Sequence, residues 1–118
     1  MPSTARLTIL AFGATSFLAG LTTLADPSSF LAREDLPAAA VGPVRGNALA
    51  AIAMGIYYSL AAYQDNEAFF LATVPMRLLT TVVFWKQDWK VAAAWEGIGA
   101  TLTALALLGG KRSKAKKR

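Results

Sequence analysis

Neither cysteine nor histidine occurs in this sequence. Their absence removes disulfides, thiol nucleophiles, Cys/His metal sites and imidazole acid–base chemistry together. Charge is scarce as well: charged residues make up 16% of the chain, and only seven are acidic. No cofactor and no metal is expected.

What is present is apolar. Hydrophobic residues make up 55% of the 118 positions. A soluble domain this short would leave much of that surface in water. The basic residues are unevenly placed. Of the twelve Lys and Arg, six lie in the last eight positions: Lys111, Arg112, Lys114, Lys116, Lys117 and Arg118. The net charge of +5 thus belongs to the tail rather than the body. Such a tail is expected to sit beside anionic lipid headgroups on the cytosolic side. Nothing interleaves aromatic with basic residues, so no nucleic-acid partner is expected.

Four runs have the length and apolarity a bilayer core requires: about 7–25, 46–64, 68–85 and 91–110. Arg77 interrupts the third and Glu96 the fourth. The first run, with Arg6 before it and Thr23-Leu24-Ala25 at its end, has the outline of a cleaved signal peptide. Its apolar stretch exceeds a signal core, and Pro27 would fall just after the cut, so we expect it to be retained.

The first connection, from Asp26 to about Pro43, is long and carries Asp26, Arg33, Glu34 and Asp35. The second (Gln64-Asp65-Asn66-Glu67) and third (Lys86-Gln87-Asp88-Trp89-Lys90) are tight, which makes the helices they join neighbours. Trp85, Trp89 and Trp95 at one end, and Tyr57, Tyr58 and Tyr63 at the other, suit interfacial belts. The expected fold is an all-α membrane protein. Four antiparallel transmembrane helices form an up-down bundle over 1–110, followed by a basic cytosolic tail at 111–118. Arg6 and the tail outnumber Arg33, Arg45, Lys86 and Lys90 on the opposite side, which puts both termini in the cytosol. In a eukaryotic cell, Lys114-Ala115-Lys116-Lys117-Arg118 would also fit a retrieval signal for the endoplasmic reticulum.

In lipid, helices associate through small residues and interhelical hydrogen bonds. The second run carries Ala51, Gly55 and Ser59 at four-residue spacing. The first carries Thr8, Thr15 and Thr22 at seven-residue spacing, with Ala11 and Ala19 between. Both stripes read as packing seams. A homodimer would enlarge any pocket between such short helices, but no seam here is specific enough to predict one.

Arg77, two residues after Pro75, is the costly residue. A charge at membrane depth costs about 2.5–3.5 kcal/mol on insertion scales, so it should face protein and have a partner. Thr73, Arg77, Thr80, Thr81 and Phe84 share one helical face, as do Glu96, Gly99, Ala100 and Thr103. Counted from the third connection at about 1.5 Å per residue, Arg77 lies roughly 12 Å deep and Glu96 roughly 7–9 Å. An Arg77–Glu96 pair is therefore expected. Asp26, Glu34, Asp35, Arg45 and Asn47 belong to the same half of the bilayer, which predicts a polar pocket opening away from the tail. Two readings stay open: a structural ion pair with snorkelling flanks, or a working site.

The pattern Gly42-Pro43-Val44-Arg45-Gly46-Asn47, an Ala/Gly-rich run, Arg77, and then Trp95-Glu96-Gly97 resembles small four-helix membrane proteins of bacteria and fungi classed as domains of unknown function. The likeness covers most of the chain through short motifs. Some fungal proteins resembling this pattern are regarded as membrane epoxide hydrolases or cyclases of polyketide or terpenoid pathways. The resemblance implies a lipophilic epoxide or polyene as substrate, reached laterally from the bilayer.

Epoxide opening without a covalent intermediate uses one carboxylate to activate water and one carboxylic acid to protonate the oxirane oxygen. Glu96 is the candidate acid, Arg77 the bridge, Asn47 the group that positions water or substrate, and Asp26 or Asp35 the second carboxylate. No second acid lies within a helix, so that pairing requires the first connection to fold back. The competing function is a non-catalytic scaffold tethering pathway enzymes to the endoplasmic reticulum, with Arg77–Glu96 a structural ion pair. A transporter is less favoured, because no internal repeat or broken helix pair is present.

Overall fold

The computed structural model describes residues 3–117, with side chains described through Gly110. The described residues are helical and contain no strand. The helices are α1 (Thr4–Ala25), α2 (Pro27–Arg33), α3 (Val41–Tyr63), α4 (Glu67–Lys86) and α5 (Lys90–Lys117), with a 3-10 turn at Ala38–Ala40 before α3. Four stretches are long and apolar enough to cross a membrane: Thr4–Ala25, Ala38–Tyr63, Glu67–Lys86 and Lys90–Gly110.

The boundaries correct the sequence reading in four places. The helix expected over 7–25 starts at Thr4, where the Ser3 hydroxyl accepts the Arg6 N–H as an N-cap. The helix expected over 46–64 starts at Val41. Pro43 falls in its first turn, where the N–H it lacks would have had no helical partner. The connection expected to be irregular from Asp26 to Pro43 contains α2 and the 3-10 turn. The last helix, expected over 91–110, continues to Lys117. Lys and Arg are good helix formers and favour a helix C-terminus, so the drop in hydropathy does not end the helix. Side chains of the basic stretch 111–118 lie outside the described residues, so their expected lipid contacts do too.

Three helices end by one device. Asp35, Asp65 and Asp88 each take positive φ, at 52°, 51° and 66°. After each, the next N–H reaches back to a carbonyl five residues earlier: Leu36 to Leu31, Asn66 to Ala61, Trp89 to Phe84. The Asp N–H bonds the carbonyl three residues earlier. This is the Schellman stop, built on Asp where Gly is usual. Asn66 also caps α4, its Oδ1 accepting the Phe69 N–H.

The chain divides into two compact units, Ala11–Leu60 and Met1–Leu10 with Ala61–Arg118. In the first, α1 and α3 approach backbone to backbone. A Cβ placed on Gly55 would stand 2.5 Å from Phe17 Cβ and 2.8 Å from the Gly13 carbonyl oxygen. One on Gly20 would stand 2.7 Å from the Ala48 carbonyl oxygen. Ser16, fully buried, donates to the Ala51 carbonyl at 2.8 Å. The Ala51/Gly55/Ser59 seam is thus in use, met by Gly13, Ser16, Phe17 and Gly20 of α1. The α1 threonine stripe is not that face. Thr15 and Thr22 are exposed and hydrogen-bond their own helix.

In the second unit α4 packs on α5. Gly97 faces Thr81, and Arg77 reaches Thr103. Moving toward the start of α4 therefore moves toward the end of α5. At the turn between them, Lys90 Nζ sits 3.7 Å from the Trp85 ring centroid and 3.7 Å from Asp88 Oδ1.

Beside an apolar core that includes Ile9, Phe12 and Phe70, burial departs from that of a water-soluble fold. Ser16, Thr73, Arg77, Glu96 and Thr103 are buried, whereas Leu18, Leu49, Leu71, Leu79, Ile98 and Leu105 are exposed. Water penalises such a surface by about 25 cal/mol per Å², and lipid does not.

Candidate polar site

The site is built on the facing stripes of α4 and α5. Phe70, Thr73 and Arg77 are the buried positions of α4, and Ala93, Glu96, Ala100 and Thr103 those of α5. Both sets follow the three- and four-residue spacing of one helical face. Only 2% of Arg77 and 5% of Glu96 is exposed, which places two ionisable groups deep among alanines and threonines.

Arg77 Nη2 donates to Thr103 Oγ1 at 2.7 Å and to Thr73 Oγ1 at 3.2 Å. The Thr73 hydroxyl in turn donates to the Phe70 carbonyl at 2.7 Å. Thr103 Oγ1 lies 2.8 Å from Thr8 Oγ1, and the Thr8 hydroxyl donates to the Ala5 carbonyl at 2.7 Å. A hydroxyl has one proton, so Thr8, already donating to Ala5, accepts from Thr103. Two relays therefore run from the guanidinium through hydroxyls to backbone carbonyls. Each oxygen along them turns its negative end toward the cation.

Glu96 relates to Arg77 differently. The guanidinium charge acts on the carboxyl through space, but Glu96 Oε2, buried, has no hydrogen-bond partner among the described residues. The reason is side-chain direction. Each Cα–Cβ bond leans toward the start of its own helix. On α4 that lean carries Arg77 away from the α4–α5 turn, toward Thr73 and Thr103, both about 20 Å from it at 1.5 Å per residue. On α5 the same lean carries Glu96 toward the turn. Matching Cα depths predicts an Arg77–Glu96 pair, and the opposite leans account for Arg77 Nη2 bonding the two threonines while its charge still acts on Glu96.

The other sequence candidates belong to the Ala11–Leu60 unit, and all are exposed. Asp26 caps α2: its carboxylate accepts from the Ser29 hydroxyl, the Ser28 hydroxyl and the Ser29 N–H. Those bonds, the Ser29 hydroxyl first, hold its carboxyl below the usual carboxylate value, which makes it a weaker base. Asp35 occupies the left-handed position that terminates α2. Asn47 lies in α3. No hydrogen bond gathers these three within their unit. Thr73 and Thr103 were placed by the sequence on the right faces but not as partners of Arg77, and Thr8 was read only as part of a packing stripe. Their signal was a hydroxyl at helical spacing, which most often serves its own backbone.

Among the described residues no group of Asp and Glu is arranged to hold a metal ion. Compared with known proteins, the sequence matches no protein family, no curated protein and no solved structure.

Proposed function

We propose that the chain is a multi-pass membrane protein whose four long helices cross antiparallel, with both termini cytosolic. In a eukaryotic cell the endoplasmic reticulum is the membrane proposed. We propose further that it opens or cyclises a lipophilic epoxide or polyene by acid–base catalysis at Glu96, with Arg77 holding the local charge in balance. The observation that carries this reading is the buried Glu96 carboxyl with Oε2 unpartnered. A buried polar atom without a partner costs about 1–3 kcal/mol, more when charged, and an acid–base group needs such a free atom.

For an epoxide the step balances on one carboxyl group. In its acid form Glu96 gives a proton to the oxirane oxygen as the C–O bond breaks. The resulting carboxylate takes a proton from the nucleophile that attacks carbon. A water yields a diol; a hydroxyl of the same substrate yields a cyclic ether. Asp26 and Asp35, engaged at the two ends of α2, are not needed.

The second reading is a scaffold that tethers other enzymes. It is favoured by the hydroxyl relays, which account for Arg77 Nη2 as a structural device. Purified protein in detergent, given a panel of lipophilic epoxides, separates the two. The enzyme loses turnover in Glu96→Gln while that variant stays monodisperse. Absence of turnover from the unaltered protein ends the catalytic reading.

A further inference from the structure

The apolar part of α5 and its basic end meet at a defined depth. Lys90–Gly110 is 21 residues long, which at about 1.5 Å per residue is roughly the thickness of a bilayer core. Lys90, seated on the Trp85 ring at the α4–α5 turn, marks one boundary, so Gly110 falls at the other. The helix does not stop there. It runs without a break to Lys117, about 10 Å farther. A headgroup layer is about 5–8 Å deep, so in a membrane the backbone of 111–117 spans that layer and its outer edge.

Two features of the sequence oppose a helix over that stretch. Gly109-Gly110 precedes it, and glycine is among the poorest helix formers. Like charges fall at helical contact spacing: Lys111 with Lys114, Arg112 with Lys116, Lys114 with Lys117. Packing gives no support where the basic run begins, since a Cβ at Gly109 or Gly110 meets nothing within 4 Å among the described residues. Ala115 is the one apolar position from 111 to 118, so the stretch has no apolar face to bury. Negative charge at that depth removes the repulsion, and anionic headgroups supply it there.

We propose that the basic end of α5 is a binding site for anionic phospholipid headgroups, whose charge holds residues 111–117 helical. This rests on the reading of the four long helices as membrane spans and on no chemistry at Glu96. In an anionic leaflet α5 keeps its full length; in a neutral one it frays beyond Gly110.

The test is amide hydrogen exchange on the full chain in nanodiscs of phosphatidylcholine, alone or with phosphatidylserine. The amides of 113–117, which a helix bonds to the carbonyls of 109–113, should exchange about tenfold or more slower in the anionic discs. At about 1 M salt, where screening shortens to about 3 Å, the difference should vanish. Lys111→Gln, Arg112→Gln, Lys114→Gln, Lys116→Gln, Lys117→Gln and Arg118→Gln combined should exchange alike in both lipids. The amides of 93–103 report in every sample that α5 stays folded. Equal exchange of the unaltered chain in the two lipids overturns the proposal, as does a lipid difference that survives in the combined variant. A short DNA duplex that slows exchange in neutral discs, where phosphatidylserine does nothing, also overturns it and indicates a nucleic-acid site. A chain that stays monodisperse in water without lipid or detergent ends the membrane reading and this proposal with it. Lipid-independent exchange in an inserted chain ends this proposal alone.

Discussion

Arg77 and Thr103, 26 positions apart in sequence, meet through a 2.7 Å hydrogen bond from the guanidinium to the hydroxyl oxygen. Thr103 is fully buried and also bonds Thr8, so one hydroxyl joins α5 to α4 and to the first turns of α1. The cation is thus stabilised by oriented dipoles as well as by the Glu96 carboxyl. Oriented dipoles of this kind replace the water that a charge loses on burial.

Removing that hydroxyl has a predictable cost. Thr103→Val keeps the shape, leaves the guanidinium short of an acceptor and leaves Thr8 without its donor. Bonds to charged groups are worth about 1.5–3 kcal/mol, although interhelical bonds in membranes average nearer 0.6. A loss of about 1–3 kcal/mol is expected in thermal or denaturant unfolding in nanodiscs. Thr103→Ser should recover most of it. Equal stability of the three proteins would mean the relay carries no energy.

The α1–α3 contact makes a contrast between glycines. Gly55→Ala puts a methyl 2.5 Å from Phe17 Cβ, closer than such atoms pack, and must push the helices apart. Gly46→Ala meets nothing within 4 Å. Overpacking in a tight contact costs about 1–3 kcal/mol, so Gly55→Ala should lower the unfolding temperature in detergent while Gly46→Ala does not. Matching effects from both would show that the close approach is absent in the folded protein.

The runs of apolar residues made all four long helices legible, because span length and low charge are properties of composition. The ends were less legible. Pro43 reads as a breaker but sits where a proline does no harm, so α3 begins before it. The Asp stops at positions 65 and 88 could be anticipated as turns but not as left-handed residues, since Asp is an uncommon choice there. The polar site was half legible. The faces of Arg77 and Glu96 follow from helical spacing alone, whereas the bond from Arg77 to Thr103 depends on which way each Cβ leans. Depth along the chain contains no such direction until the pairing of α4 with α5 is known.

Asp26 gives a prediction in pH. Its carboxyl is held below the usual value near 3.8 by the hydroxyl of Ser29, the hydroxyl of Ser28 and the Ser29 N–H. A depressed folded value means the cap contributes fully above the unfolded value and is lost as pH falls through the lower folded one. Amide exchange at Ser29 should stay slow from neutral pH down to about pH 4 and quicken, relative to an unstructured peptide, in more acidic solution. Asp26→Asn, a competent cap without a proton to gain, should show no such acid step. An identical step in both proteins would place its origin elsewhere.

Asp35 separates a structural carboxylate from a catalytic one. Its φ of 52° is a conformation that costs an L-residue about 1–2 kcal/mol and glycine little. Asp35→Gly should therefore preserve or slightly raise stability. It should also leave intact any turnover that Glu96→Gln abolishes. Asp35→Val, β-branched in a left-handed position, should destabilise the end of α2 without touching the chemistry at Glu96. The informative measurement is kcat beside unfolding temperature for all three. If Asp35→Gly stays folded but loses turnover, the side chain acts on substrate as the second carboxylate of the two-carboxylate mechanism. If only Asp35→Val is impaired, and in stability alone, the residue serves as a helix stop and the reaction runs on one buried carboxyl.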